Sequence, residues 1–143
     1  MAMTDGVLKA LVIDDSPTDA RILSNLLSER LQTEVEIAKD GSEGLEKLCA
    51  GHFNVAFLDL QMPRMTGMEV LRKIRGTPST ADLPVIVITS NNDAQTVRSL
   101  LEFKIFDYVI KPYNTALVVK RFTEKLAPLR SCAVPPGEDS APR

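Results

Sequence analysis

Five short apolar, β-branched runs, each followed by a segment of helical periodicity, constrain this chain more than any other feature. The runs "KALVI" (9–13), "EVEIA" (34–38), "VAFLD" (55–59), "VIVIT" (85–89) and "DYVI" (107–110) read as strands. The first, third and fourth are almost continuously apolar, as required where both faces of a parallel sheet are covered. After the first run, Ile22, Leu23, Leu26, Leu27 and Leu31 recur at helical spacing. That helix opens with "SPTD", in which Ser16 reads as the N-cap, Pro17 as the first helical residue and Asp19 as the acidic partner of a capping box. Further helices are predicted over Ser42–Cys49, Met68–Arg75, Asp93–Phe103 and Asn114–Leu126. Five β–α units in strict alternation predict an α/β sandwich with a parallel sheet and right-handed crossovers.

A length of 143 residues suits one domain with its own core. A formal net charge of −2 argues against a nucleic-acid or polyanion binder. Lys120, Arg121, Lys125 and Arg130 gather late, but Glu124 interrupts them, and they read as a solvated helix face. The apolar runs are too short to cross a bilayer, and "MAMTDGVLKA" lacks a signal peptide's apolar stretch, so the expected location is the cytoplasm, without a membrane. Cys49 and Cys132 are far apart, without metal-type spacing, and read as reduced thiols. Cys49 closes an apolar helical pattern and is expected to serve packing. His52, in the turn-like "AGHFN", is given no role. The final "RSCAVPPGEDSAPR" lacks apolar periodicity and is rich in Pro, Ser and Gly. The expected division is an extension over 1–7, a domain over 8–127, and a tail or linker over 128–143.

In open α/β sheets, ligands bind beyond the carboxyl ends of the strands. Here the first strand ends in Asp14 and Asp15, the third in Asp59, the fourth in Thr89 and Ser90, and the fifth runs into Lys111 and Pro112. Each alone is an ordinary strand-end, cap or loop residue. Together they fall on one edge of the sheet, which a structural role does not explain. Crowded carboxylates need a compensating cation, and Mg²⁺ typically takes one or two carboxylates, waters and phosphate oxygens. Lys111 adds a point charge and Thr89 a hydrogen-bond donor. Such a set suits phosphoryl transfer, where catalysis is mostly positioning and charge neutralisation, with the Asp59 carboxylate as nucleophile.

At these residues the sequence resembles the response-regulator receiver domain of two-component signalling. The motifs are "VIDD" (12–15), "DLQMPRMTGMEVLRKIR" (59–75), "LPVIVITS" (83–90) and "DYVIKP" (107–112), in order and with family spacing over roughly residues 8 to 127. The resemblance implies a flavodoxin-like (βα)5 three-layer sandwich of strand order 2-1-3-4-5. It implies that Asp59 accepts phosphate from the phosphohistidine of a histidine kinase or histidine phosphotransfer protein. It further implies that Asp15, Asp59 and the backbone carbonyl of Gln61 bind Mg²⁺ directly, with Asp14 acting largely through water. Lys111 would pair with the phosphoryl group and Thr89 would hydrogen-bond it. Thr89 and Tyr108 would be the switch pair, read out on the face of helix four, strand five and helix five. Gln61 and Asn91 would flank the path of hydrolytic water, and the Lys111–Pro112 bond would be cis. The family's chemistry is confined to its own phosphorylation and dephosphorylation. The resemblance leaves room for an output domain or effector downstream, and for a homodimer that forms on phosphorylation. One departure is "FKIFDY", where the family usually has a small Gly-Ala-type turn before the switch aromatic.

Two other classes compete. A phosphohydrolase with an Asp nucleophile would place Asp-x-Asp after the first strand, and "DDSPTD" does not supply it. A non-phosphorylated flavodoxin-like interaction module would have lost Asp15, Asp59 or Lys111, and all three are present.

Overall fold

The computed structural model describes residues 7–90, 94–111 and 114–132. Along the chain run β1 (Lys9–Ile13), α1 (Pro17–Arg30), β2 (Glu34–Ala38), α2 (Gly41–Ala50), β3 (Val55–Asp59), α3 (Gly67–Gly76), β4 (Val85–Thr89), α4 (Ala94–Leu101), β5 (Asp107–Ile110) and α5 (Thr115–Cys132). The sheet is parallel, in the order β2-β1-β3-β4-β5. Both the strand assignments and the flavodoxin-like order expected from the sequence are met.

The strand period of two sorts the core into two layers. Val12, Phe57, Ile86 and Ile88 join Leu23, Leu27, Val118 and Phe122 on one face of the sheet. There the Phe57 and Phe122 rings meet at 5.2 Å between centroids. Ile13, Leu58, Val85 and Val87 join Leu48, Val70, Leu71, Ile74 and Leu100 on the other. β3 and β4 are buried throughout, which accounts for their unbroken apolar runs.

Several local expectations are corrected. In α1, Ser16 Oγ accepts the Asp19 N–H at 3.3 Å, but the Ser16 N–H donates to Asp14 Oδ1 at 2.9 Å. The box is therefore half formed, and the Asp19 carboxylate is left for another partner. Ile22 is exposed because Leu23, Leu26 and Leu27 already form the buried stripe and Ile22 lies a residue's rotation off it. Cys49 is likewise exposed beside the buried Leu48, so it does not serve packing. α4 stops at Leu101, and Lys104 in the following turn has φ 55°. α5 continues past Leu126 through Pro128, with Leu126 buried and Leu129 packed against the same core. A full capping box does occur at α3, where Thr66 and Glu69 bond each other's backbone N–H.

The ladder extends beyond the strand ends and carries the site residues with it. Asp14 donates its N–H to Ala38 O at 3.1 Å, Leu60 to Ile88 O at 2.9 Å, and Lys111 to Thr89 O at 2.8 Å. Gly67 fixes the other side of Asp59. A Cβ there would lie 2.5 Å from the Asp59 carbonyl oxygen, so only glycine lets α3 start this close to the end of β3.

Candidate functional site

β1 and β3 are neighbours, so Asp14 and Asp59 leave the sheet side by side, with Ile13 paired to Leu58 just below. Both are buried, with 4% and 3% of their surface exposed, while Asp15 faces out. Carboxylate oxygens of Asp14, Asp15 and Asp59 all lie within 4.8 Å of one another. Each buried acid has a backbone anchor: Asp14 Oδ1 accepts from Ser16 N–H at 2.9 Å, and Asp59 Oδ1 from Gln61 N–H at 3.1 Å.

Lys111 reaches these acids from the end of β5. Its Nζ lies 3.3 Å from Asp59 Oδ2 and 3.5 Å from Asp14 Oδ2. A third carboxylate is closer still, Asp19 Oδ2 at 2.8 Å. Burial pushes the Asp14 carboxyl up to about 6, against the Ser16 N–H that holds it down, and the charge of Asp59 adds to the rise. For Lys111, burial works to lower the ammonium's pKa, but the hydrogen bond to Asp19 and the charges of Asp59 and Asp14 override it and raise it. Among the described residues, one ammonium stands among four carboxylates, which leaves the edge negative. A hard divalent cation suits that donor set of clustered carboxylate oxygens.

On β4, Thr89 is buried and its hydroxyl engages the Gln61 side-chain amide, accepting from Nε2 at 3.0 Å and lying 3.2 Å from Oε1. Gln61 Oε1 also accepts from the Ser90 N–H at 2.9 Å and the Ser90 hydroxyl at 3.2 Å. Tyr108 is half-buried on the face of the sheet that holds Val87 and Leu100. Asn91, Pro112 and Tyr113 lie outside the described residues, and with them the Lys111–Pro112 bond.

With this edge described, comparison with known proteins decides the family. The sequence matches the response regulator receiver domain over residues 10–123. The chain belongs to that family. This receiver domain is 34% identical over 119 residues to the chemotaxis protein CheY of Pseudomonas aeruginosa, covering 83% of this chain and 95% of that protein. It is 43% identical over 110 residues to protein-glutamate methylesterase/protein-glutamine glutaminase 1 of Myxococcus xanthus, covering 76% of this chain but 31% of that protein. Among solved structures, chemotaxis protein CheY4 of Vibrio cholerae superimposes with a TM-score of 0.78 at 27% identity, covering 85% of this chain and all of that one. Among the described residues, no helix of the receiver domain is long and apolar enough to cross a membrane.

Asp14, Asp15, Asp59 and Lys111, expected together, are brought together, and Thr89 stands on the adjoining strand. Two contributors escaped the sequence reading. Asp19 matches a helix-capping pattern in the sequence, yet helical side chains tilt toward the helix N-terminus, so a first-turn acid on α1 overhangs the strand ends. Gln61 was expected to act through its backbone carbonyl and beside water, and its side chain proves to bridge to Thr89 and Ser90.

Proposed function

We propose that this receiver domain is a phosphoacceptor switch in which Asp59 takes a phosphoryl group from the phosphohistidine of a histidine kinase or histidine phosphotransfer protein. The observation that carries the reading is Lys111 Nζ within 3.5 Å of both Asp14 and Asp59, residues remote in sequence, beside an exposed third acid. In the transfer, an Asp59 carboxylate oxygen forms a bond to phosphorus. The phosphorus–nitrogen bond breaks, and its electron pair stays on the imidazole nitrogen. Lys111 neutralises the charge on the phosphoryl oxygens, and Thr89 donates a hydrogen bond to one of them. Asp14, Asp15 and Asp59, with the Gln61 backbone carbonyl, would hold Mg²⁺, which supplies further charge neutralisation. The domain does no other chemistry than its own phosphorylation and dephosphorylation. Its output is a change in the face of α4, β5 and α5, presented to an effector, an output domain or a second copy.

Incubation with acetyl phosphate and Mg²⁺ should add one phosphate by intact mass. Asp59→Ala should add none, and chelation should abolish labelling in the parent. Undiminished labelling of the variant would overturn the assignment of Asp59.

A further inference from the structure

The Lys111 ammonium has three protons and faces three carboxylates, and the nearest is not one of the clustered trio. Asp19 Oδ2 stands at 2.8 Å, against 3.3 Å for Asp59 and 3.5 Å for Asp14. Asp19 is free for this contact because Asp14 has taken the Ser16 N–H that a completed capping box would have given it. Its side chain is 36% exposed while those of Asp14 and Asp59 are 3% and 4% exposed, so it grips the ammonium from the solvent side. Lys111 is thus drawn outward by Asp19 and inward by the two buried acids.

We propose that Asp19 is the positioning residue for Lys111, holding the ammonium at the outer rim of the acid cluster and yielding it to a phosphoryl group on Asp59. The proposal rests on the phosphoacceptor reading. A phosphoryl group adds negative charge and acceptor oxygens beside Asp59, and one Lys111 N–H must turn to meet them. While that group is absent, the outward pull limits how far the ammonium neutralises the acids that a cation would use. Asp19 therefore acts with opposite sign on two ligands. It favours a divalent cation, which competes with Lys111 for the trio, and opposes an anion on Asp59, which competes with Asp19 for Lys111.

The test is Asp19→Asn, which keeps the shape and removes the charge. Amide spectra would follow titration with Mg²⁺ alone, then with beryllofluoride, a phosphoryl mimic, at saturating Mg²⁺. Mg²⁺ affinity should fall and beryllofluoride affinity should rise, each roughly three- to tenfold, as expected for loss of one charge-assisted contact. A role confined to starting α1 would alter stability and move neither constant. Simple loss of a nearby charge would give the same signs, so the Mg²⁺ titration is repeated in a Lys111→Met background. If Asp19 acts through Lys111, Asp19→Asn changes Mg²⁺ affinity there by less than about twofold. A full effect without the lysine, or no effect with it, would overturn the proposal. A parent that binds Mg²⁺ but no beryllofluoride would refute the phosphoacceptor reading instead, and the Mg²⁺ cycle would still decide whether Asp19 acts through Lys111.

Discussion

The Gln61 side-chain amide and the Thr89 hydroxyl engage each other reciprocally, with Nε2 donating at 3.0 Å and Oε1 within reach of the hydroxyl proton at 3.2 Å. The Gln61 backbone N–H meanwhile donates to Asp59 Oδ1 at 3.1 Å. One residue therefore links the Asp59 carboxylate on β3 to the Thr89 hydroxyl on β4. A phosphoryl oxygen on Asp59 would compete with Gln61 Oε1 for that proton.

Truncating Gln61 removes that competitor. A neutral hydrogen bond contributes about 1 kcal/mol net, so Gln61→Ala is expected to bind beryllofluoride about fivefold more tightly than the parent. Titration at saturating Mg²⁺, read by amide spectra, measures this. Weaker binding would mean that the amide supports the occupied site rather than restraining the empty one.

Asp14 makes the metal-free fold sensitive to pH. Its folded pKa of about 6 lies above the ordinary 3.8, so the folded chain holds this proton more tightly than the unfolded one. The resulting stabilisation is fully present below pH 3.8 and is lost as pH rises through about 6. At pH 7 the ionised Asp14 therefore destabilises the metal-free fold. Asp14→Asn removes that cost, and in chelated buffer it should be more stable than the parent at pH 7, with the gap closing toward pH 4. Urea denaturation across that range checks it. A gap independent of pH would show that Asp14 is not the titrating group.

Arg75 fastens the end of α3 to the segment that departs from the family pattern. Its guanidinium donates to the carbonyls of Phe103 at 2.7 Å, Leu83 at 2.8 Å, Ala81 at 3.1 Å and Lys104 at 3.2 Å. Burial lowers its pKa, so the charge is held at a cost that these carbonyls offset. Arg75→Ala is expected to destabilise the protein by roughly 2–3 kcal/mol, and Arg75→Lys to recover little, because an ammonium cannot reproduce the planar fork. Urea midpoints compare the three proteins. A lysine variant as stable as the parent would show that charge alone suffices.

The centre of the sheet was legible because the nearly unbroken apolar runs of β1, β3 and β4 have few other ways to be buried, and the strict alternation with helical segments placed β2 and β5 beside them. The edge holding Asp14, Asp59, Thr89 and Lys111 was legible because strand ends in such a sheet share a side. What escaped depended on direction or competition between neighbours. Asp19 looked like a capping partner because "SPTD" satisfies that pattern, and only the geometry shows Asp14 taking the Ser16 N–H first. Cys49 and Ile22 belong to apolar-looking patterns but sit a residue's rotation from the buried stripe, a distinction finer than apolar spacing resolves. α5 outruns its expected end because Leu129 still packs on the core beyond Pro128, so tertiary contact overrides the local break.

The remaining question is how occupancy of Asp59 would reach the face of α4, β5 and α5. Thr89 pairs with Ile110 on β5, and Tyr108, paired with Val87, packs on the layer that contains Leu100 of α4. A hydroxyl drawn toward a phosphoryl oxygen would leave its place beside Gln61, and the half-buried Tyr108 ring could follow into the space beside β4. Phosphate can shift this equilibrium only by its differential affinity for the two arrangements, and under the proposed function the Thr89 hydroxyl would be the group that senses the difference. Thr89→Ala is therefore expected to accept phosphate at Asp59 yet respond weakly over residues 94–126. Amide spectra of the parent and the variant, with and without beryllofluoride, separate acceptance from response. Equal shifts across those residues in both proteins would show that the signal leaves Asp59 by a route other than Thr89.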